Sequence, residues 1–248
     1  MDTQLLNDKY MEVKSLTSST DFVKVIYAGM HQCYSHLPVY NDKLLDKPDY
    51  KLEEIIINKL LKSGRGHYSP LEHASFVLNC CYIPHSVMQQ FRTHRIGIGF
   101  SVQSFRYTSE SLLKAVYGSQ EDLEKAIYIK PAGIYSDRNG DKYNYTEEWR
   151  NQDIRHIKYI ITKYKEDKYR GKSEEHARGI LPFDYRQHMV VSFNLRSFFH
   201  VLDLRSKKDT QLEFQYLSNL MFNEVKHLAP KLFQWYLDNR YSKARLSP

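Results

Sequence analysis

The chain has 248 residues, 42% hydrophobic content and a net charge of +7. It is long enough to bury a sizeable core as one large domain, and its basic balance suits either a phosphorylated ligand or a nucleic acid. Its three cysteines, two of them adjacent at Cys80 and Cys81, give neither a disulfide framework nor a zinc pattern. Because no apolar run reaches membrane-spanning length and the N-terminus does not resemble a signal peptide, we expect a cytoplasmic protein without a membrane partner.

The first elements are predicted from apolar spacing. Apolar residues recur at helical spacing over residues 52–61, which predicts a helix that Gly64 closes. Residues 74–82 are apolar and partly β-branched or aromatic, which predicts a strand. Pro84 then suits the first turn of a further helix, on which Gln89 and Arg92 are neighbours on one face because they are three residues apart.

The most informative stretch runs from Gln89 to Thr108 and is QQFRTHRIGIGFSVQSFRYT. It places three arginines close to histidine, amide and hydroxyl side chains. A guanidinium offers a planar fork of donors and a charge that does not titrate in proteins, so several of them suit a multiply anionic ligand such as a phosphate. The interleaved apolar residues should hold this segment against a core.

Residues 108–172 are polar and tyrosine-rich, and we predict that they form a partly helical insertion in a single domain spanning 1–248. Apolar residues between Ile154 and Tyr164 predict an amphipathic helix there, and residues 137–140 predict a turn. Further along, residues 193–204 predict a helix with one apolar stripe, and residues 210–213 predict a capping box that opens the next helix.

The helix predicted over 193–204 has a second, polar face. Arg196, His200 and Asp203 share it. From the residues alone, this face could bind a ligand or could simply be exposed to solvent without a special role.

Four segments in order resemble the flavin-dependent thymidylate synthases. They are GHYSPLEH at 66–73, RTHR to QSFRY within 92–107, EEHARGILP at 174–182 and SFNLRSFFHVLDLR at 192–205. The second resembles a longer variant of the family motif Arg-His-Arg, seven residues, Ser and then Arg-Tyr. Thr93 separates Arg92 from His94, and we hypothesise that this produces a π-bulge. Val102 and Gln103 stand where the family commonly has a glutamate.

The resemblance implies an α+β fold in which a twisted, largely antiparallel sheet is flanked by helices, with no Rossmann site. It also implies reductive methylation of deoxyuridine monophosphate (dUMP) to thymidylate (dTMP). Methylenetetrahydrofolate would be the carbon donor, FAD the hydride carrier and NADPH or NADH the reductant. A homotetramer whose active sites combine residues from several subunits is implied as well.

Site residues follow from the resemblance, position by position. Arg205 is implied to be catalytic, as a cation beside N3 of the uracil ring. The implied dUMP contacts are Gln89, Arg92, Gln103, Ser104, Arg106, Arg178 and Arg205. The implied FAD contacts are His67, Ser69, Arg92, His94, Arg95, Asn194, Arg196 and His200. No metal is expected.

Other roles stay open for some of these residues. Arg178 could instead pair with Glu174 on a helix, and His67 could be an ordinary loop histidine. A zinc site from His67, His73 and His94 has no spacing signature behind it.

Two other functions stay open for the whole chain. One is a nucleic-acid-binding protein whose arginines contact phosphates and whose tyrosines stack on bases. The dispersion of the arginines over distant segments argues against it, so no nucleic-acid partner is expected. The other is a protein that binds flavin and nucleotide without synthase activity.

Overall fold

The structure is a computed structural model that describes residues 8–62, 67–137 and 139–243. In chain order, its α-helices are α1 (Phe22–Gln32), α2 (Asp49–Ile56), α3 (His85–Phe91), α4 (Phe105–Tyr117), α5 (Gln120–Ala126), α6 (Glu147–Tyr169), α7 (Glu174–Ala177), α8 (Leu195–Arg205), α9 (Leu212–Val225) and α10 (Pro230–Asn239). Its strands are β1 (Glu12–Ser18), β2 (Ser75–Pro84), β3 (Ile98–Val102), β4 (Gly133–Ser136), β5 (Lys142–Tyr145) and β6 (Arg186–Asn194). Within the described ranges, every helix is too short or too polar to cross a membrane.

Four strands form one sheet in the order β1-β2-β6-β3, and β4 pairs with β5 in a separate antiparallel hairpin. The amide of Ser19, just after β1, donates to Ser75 at the start of β2 over 2.8 Å. The amide of Leu195, just after β6, donates to Ala74, just before β2, over 2.9 Å. The ends of β1 and of β6 therefore both lie beside the start of β2, which is the arrangement of antiparallel strands. The predicted α+β fold, with a largely antiparallel sheet flanked by helices, is confirmed.

The described chain divides into two compact units. Of the described residues, the first comprises 8–62, 67–80, 91–101 and 189–243, and the second comprises 81–90, 102–137 and 139–188. The insertion predicted at 108–172 falls within the residue range of the second unit. A single domain spanning 1–248 stays a prediction.

Phenylalanine rings dominate the core of the first unit. Phe76 on β2 lies 5.6 Å from Phe193 on β6 and 5.1 Å from Phe198 on α8, measured between ring centroids. Phe91, at the end of α3, lies 5.3 Å from Phe214 of α9. All five rings are almost fully buried. Such rings bury large apolar areas and prefer tilted or edge-on contacts, so they fix the direction in which α8 presents its polar residues.

The second unit has its own core, in which α4 packs on α5 and α6. Its buried members are Phe105, Leu112, Leu123, Ile127, Ile129, Ile154, Ile161, Tyr164 and Ala177. Local capping defines the starts of two of these helices. Ser119 and Asp122 form a capping box at α5, and Thr146 accepts a hydrogen bond from the Trp149 amide at the start of α6. The predicted amphipathic helix is therefore confirmed as α6.

Two predictions about helix geometry need correction. The helix predicted over 52–61 changes type, because α2 ends at Ile56 and a π-helix follows at Ile57–Leu61. Gly64, its predicted end, lies outside the described residues. The π-bulge hypothesis at Thr93 is wrong, because α3 ends at Phe91 and the His94 amide donates to the Phe91 carbonyl in a turn.

Other boundaries also differ from the expectations. The predicted strand is confirmed, but Pro84 closes β2 and α3 starts one residue later. Since Arg92 lies beyond α3, it does not share a helix face with Gln89. The capping box predicted at residues 210–213 is wrong, because Gln211 is the N-cap of α9 and the Thr210 hydroxyl donates to the Leu204 carbonyl. The turn predicted at residues 137–140 joins β4 to β5, with Arg138 itself outside the described residues.

Candidate functional site

The loop between α3 and β3 exposes two arginines and buries the histidine between them. Arg92 and Arg95 are exposed, and neither has a hydrogen-bond or ion-pair partner within the described parts of the chain. His94 is only 8% exposed. The chain turns after Phe91, where the backbone amide of His94 donates to the Phe91 carbonyl over 3.1 Å. The loop therefore presents two uncompensated charges beside a buried imidazole.

Gly97 allows this loop to lie against the start of α8. Its φ of +69° falls in the left-handed region, which favours glycine, and a Cβ there would collide with the side chains of Asn194 and Ser197. The loop is tied to α8 by two hydrogen bonds. The Ser197 hydroxyl donates to the Ile96 carbonyl over 2.8 Å, and the backbone amide of Asn194 donates to the Gly97 carbonyl over 3.3 Å.

Helix α8 carries several of the predicted flavin contacts. Asn194 is its N-cap and accepts a hydrogen bond from the Ser197 amide over 2.8 Å. Arg196 forms an ion pair with Glu72, which belongs to the 3₁₀ turn Ser69–Glu72. The Asn194 side-chain oxygen is thus already engaged, and the Arg196 charge is compensated before any ligand binds.

Asp203 does not belong to an exposed polar face with Arg196 and His200. It is 1% exposed, and its carboxylate pairs with the guanidinium of Arg240 at the end of α10. His200 is partly buried instead, with its ring centroid 5.8 Å from that of His94. The polar face predicted for α8 therefore divides into a buried ion pair and a face that meets the α3–β3 loop.

Arg205 and His94 form the closest contact between predicted site residues in the first unit. The Arg205 Nε donates to the His94 Nε2 over 2.9 Å, and the guanidinium carbon lies 5.1 Å from the ring centroid of Phe214. Burial, together with the charges of Arg205 and His200, lowers the pKa of His94 to about 4. Burial also lowers the pKa of Arg205 from its usual value. At neutral pH His94 is therefore uncharged and acts as the acceptor in this pair.

The depressed pKa of His94 predicts acid-sensitive stability. An unfolded chain protonates this histidine near pH 6.5, whereas the folded chain protonates it only near pH 4. Between these values the unfolded state binds more protons, so His94 lowers the free energy of unfolding as the pH falls from 6.5 towards 4. The contribution lost is about 2–3 kcal/mol. Urea unfolding at pH 7 and pH 4.5 should show a smaller loss in His94→Gln than in the unaltered chain, and an equal loss would contradict the assignment.

His67 and Ser69 lie in the segment before β2. The His67 Nδ1 is 3.4 Å from the Tyr34 hydroxyl, and its Nε2 is 3.7 Å from the Cys33 sulfur. Ser69 is exposed at the start of the Ser69–Glu72 turn. These contacts are long and lie near the surface, so they leave the imidazole accessible.

The two arginines predicted to contact an anion in the second unit differ in whether they form an ion pair. Arg106 pairs with Glu175 over 3.0 Å. Arg178 is exposed, and in the described residues it makes neither a hydrogen bond nor an ion pair. The alternative pairing of Arg178 with Glu174 is wrong, because that carboxylate pairs with Lys168 over 2.7 Å. Among the described residues Arg178 thus makes no direct pair, although its charge contributes to lowering the pKa of Glu175.

Three uncharged residues complete the predicted contacts of the second unit. Gln103 is held at both ends: its backbone amide donates to the His188 carbonyl over 2.9 Å, and its Oε1 accepts from the His188 amide over 3.1 Å. Ser104 is the exposed N-cap residue of α4 and makes no capping bond. The Gln89 amide nitrogen lies 2.9 Å from the Nε2 of His85. Gln103 therefore orders the strand pairing in addition to any contact with ligand.

A cleft of about 760 Å³ in the second unit includes residues that the sequence analysis missed. Tyr82 and His188 line it together with Gln103. Tyr82 has a φ of +55°, and such a conformation costs a non-glycine residue roughly 1–3 kcal/mol. Its amide donates to the His188 Nδ1 over 3.2 Å, and its carbonyl accepts from Arg186 over 2.6 Å. Neither residue belongs to a spacing motif, so no local signal in the sequence marks them.

The described residues contain no cluster of three or more His, Cys, Asp or Glu side chains that could hold a metal ion. His67, His73 and His94 in particular do not form one.

Residues 15–231 match the family model described as thymidylate synthase complementing protein. The chain belongs to this family. The resemblance to flavin-dependent thymidylate synthases that the four segments carry is therefore confirmed. The flavin-dependent thymidylate synthase of Halobacterium salinarum is 28% identical, over 82% of this chain and 83% of that protein. The one from Haloarcula marismortui is 27% identical, over 96% of this chain and all of that protein.

Solved structures agree with the family at the level of fold. The UMP/dUMP methylase PolB from Streptomyces cacaoi, bound with 5-Br dUMP, superposes with a TM-score of 0.71 at 19% identity, over 96% of this chain and 97% of that one. The flavin-dependent thymidylate synthase ThyX from Helicobacter pylori, complexed with FAD and dUMP, gives a TM-score of 0.66 at 20% identity, over 90% and 98% of the two chains. The thymidylate synthase complementing fold thus extends over nearly the whole chain.

Proposed function

We propose that this protein is an FAD-dependent thymidylate synthase that reductively methylates dUMP to dTMP. The observation that carries the proposal is the set of exposed guanidinium groups in the motif segments that make no hydrogen bond or ion pair with the described residues, namely Arg92, Arg95 and Arg178. Exposed arginines with no described acceptor suit ligands that carry several negative charges. Membership of the family supports the same function.

The residues of the first unit fit an FAD group by their chemistry. A dinucleotide carries a pyrophosphate, which the free charges of Arg92 and Arg95 would neutralise. We assign the flavin contacts to His67, Ser69, Arg92, His94, Arg95, Asn194, Arg196 and His200. When bound, FAD would supply hydride transfer, which no side chain of the chain can provide. The chain's own part is to bind, to orient and to place charge.

The nucleotide contacts are assigned position by position from the family motifs. They are Gln89, Arg92, Gln103, Ser104, Arg106, Arg178 and Arg205. Arg205 has the catalytic role among them. Carbon C5 of uracil becomes nucleophilic only as negative charge develops on the N3 and O4 side of the ring, and a fixed cation there stabilises that charge. The remaining contacts hold the phosphate and the sugar.

The family also suggests the co-substrates and the assembly. Methylenetetrahydrofolate would donate the carbon, and NADPH or NADH would be the reductant. A homotetramer with shared active sites would bring in residues from neighbouring subunits, and the enzyme would act in the cytoplasm. Gel filtration with light scattering tests the assembly, because a monomer that is fully active would exclude shared sites.

The first test is the visible absorption spectrum of the purified protein. We expect the bands of oxidised flavin, either as purified or after addition of FAD. They should bleach under anaerobic conditions when reduced nicotinamide is added, and dTMP should form when dUMP and methylenetetrahydrofolate are also present. Arg155→Ala, which alters an exposed arginine of α6 outside the motifs, is the matched control and should behave as the unaltered chain.

Other outcomes separate the alternatives. Bleaching without dTMP would indicate a flavin- and nucleotide-binding protein without synthase activity. A protein that takes up no FAD but binds oligonucleotides with a steep salt dependence would be a nucleic-acid-binding protein.

A further inference from the structure

The guanidinium of Arg205 is held on two sides within the first unit. Its Nε donates to the His94 Nε2 over 2.9 Å, and its face lies over the Phe214 ring at 5.1 Å. Within the described residues, its two terminal nitrogens have no hydrogen-bond partner. The group is therefore fixed through its inner nitrogen and its flat face, while the outer edge with its parallel N–H donors is free.

Both contacts come from rigid parts of the unit. Phe214 is fully buried in α9 and packs against Phe91, whose ring centroid lies 5.3 Å away. His94 follows Phe91 by three residues and is held in the turn by its own amide. The same phenylalanine thus anchors the ring below the guanidinium and the turn that carries the imidazole.

His94 can serve as an acceptor only while its Nε2 carries no proton. Burial and the charges of Arg205 and His200 keep the pKa of His94 near 4, so the ring is neutral at physiological pH. The residue order of this chain also matters. With Thr93 between Arg92 and His94, the arginine stays exposed and the imidazole turns inward.

We propose that His94 and Phe214 are positioning residues for Arg205, which they hold so that its terminal N–H edge meets the N3 and O4 atoms of a uracil ring that has lost its N3 proton. This inference rests on the proposed function. Two parallel donors match two adjacent acceptors, as in bidentate contacts with carboxylates. Neutral uracil presents an N3–H donor, which would face another donor, so the fixed edge favours the anionic ring.

Binding of 5-fluoro-dUMP tests this directly, because its fluorine makes the N3 proton more acidic than that of dUMP. Calorimetry across a pH series should show that affinity rises as N3 ionises, with one proton released to the buffer. Arg205→Ala should abolish this rise. His94→Leu should weaken the anion's affinity by on the order of tenfold, as expected for losing one charge-assisted hydrogen bond.

The conservative variant separates positioning from packing. His94→Gln keeps an acceptor at about the place of Nε2, so it should retain most of the pH-dependent affinity, whereas His94→Leu fills similar space without an acceptor. In turnover, His94→Leu should lower kcat by on the order of tenfold with little change in the KM for dUMP. Phe214→Leu should lower kcat in the same way. Thermal unfolding of each variant at pH 7 checks that the fold is intact.

Two results would overturn the inference. One is equal loss of affinity in His94→Gln and His94→Leu. The other is loss of FAD in His94→Leu with an unchanged pH profile for 5-fluoro-dUMP, which would make His94 a flavin contact only. A ¹⁵N NMR spectrum of the Arg205 side chain needs neither ligand nor activity. A protected Nε–H signal that disappears in His94→Leu supports the positioning of Arg205 by His94 even if no dTMP forms. Failure of this inference and failure of the proposed function are therefore distinguishable.

Discussion

Replacing Arg205 with alanine is expected to lower the rate of dTMP formation by about a hundredfold or more. The guanidinium would stabilise the negative charge that develops on uracil, and preorganised donors of this kind contribute about 2–4 kcal/mol to the transition state. Single-turnover measurements with enzyme in excess over dUMP isolate this step from product release. Because Arg205 is partly buried, water would replace the lost charge only in part.

Two further variants test whether the loss of rate is specific to the guanidinium of Arg205. Arg205→Lys keeps the charge but loses the fork and the Nε contact with His94, so it should recover only a small part of the rate. Arg155→Ala alters an exposed arginine of α6 and should leave the rate unchanged. Turnover in Arg205→Ala within about threefold of the unaltered chain would show that the catalytic charge lies elsewhere.

The largest expected effect on stability comes from Asp203. Its side chain is fully buried and pairs with Arg240, whose side chain is 20% exposed. Removing one partner of a buried pair typically costs about 3–5 kcal/mol, because the remaining charge is left without compensation. Since Arg240 can partly reach solvent, we expect Asp203→Ala to cost about 3 kcal/mol in the free energy of unfolding.

Chemical denaturation with a matched surface pair measures this effect. Lys24 and Asp21 are 3.8 Å apart and substantially exposed, so Lys24→Ala should change the free energy of unfolding by less than about 1 kcal/mol. Replacing both Asp203 and Arg240 with apolar residues should recover part of the loss. If Asp203→Ala were no more damaging than Lys24→Ala, the pair would not be a structural link between α8 and α10.

Local patterns were sufficient for the elements whose sequence signals are local. The apolar residues of α8 and β2 predict a helix and a strand because their periodicity is set by the burial of one face. The basic residues from Arg92 to Arg106 predict an anion-binding segment because few structural roles need so many guanidinium groups. The sequence does not predict the hairpin of β4 and β5, since each strand is only four residues long and largely exposed, which is too short for alternation to mark a strand.

What the sequence could not supply depends on contacts between distant residues. Nothing near His94 in the chain indicates that it accepts a hydrogen bond from Arg205, more than a hundred residues later. Asp203 was expected beside Arg196 and His200, and only the position of Arg240 explains its burial. Tyr82 likewise owes its left-handed backbone to His188 and Arg186, which no spacing rule connects to it.

The discontinuous division of the chain has a consequence for how it folds during synthesis. Residues 102–188 of the second unit form one continuous stretch whose helices contact near neighbours, so most of that unit can fold soon after it leaves the ribosome. The first unit must wait, because α10 packs on α2 and α9 packs on β1 across most of the chain. Phe76 on β2 therefore stays without Phe193 and Phe198 until β6 and α8 have been made. Chains that are truncated early should therefore aggregate. Slow translation late in the chain should increase aggregation more than slow translation early in it.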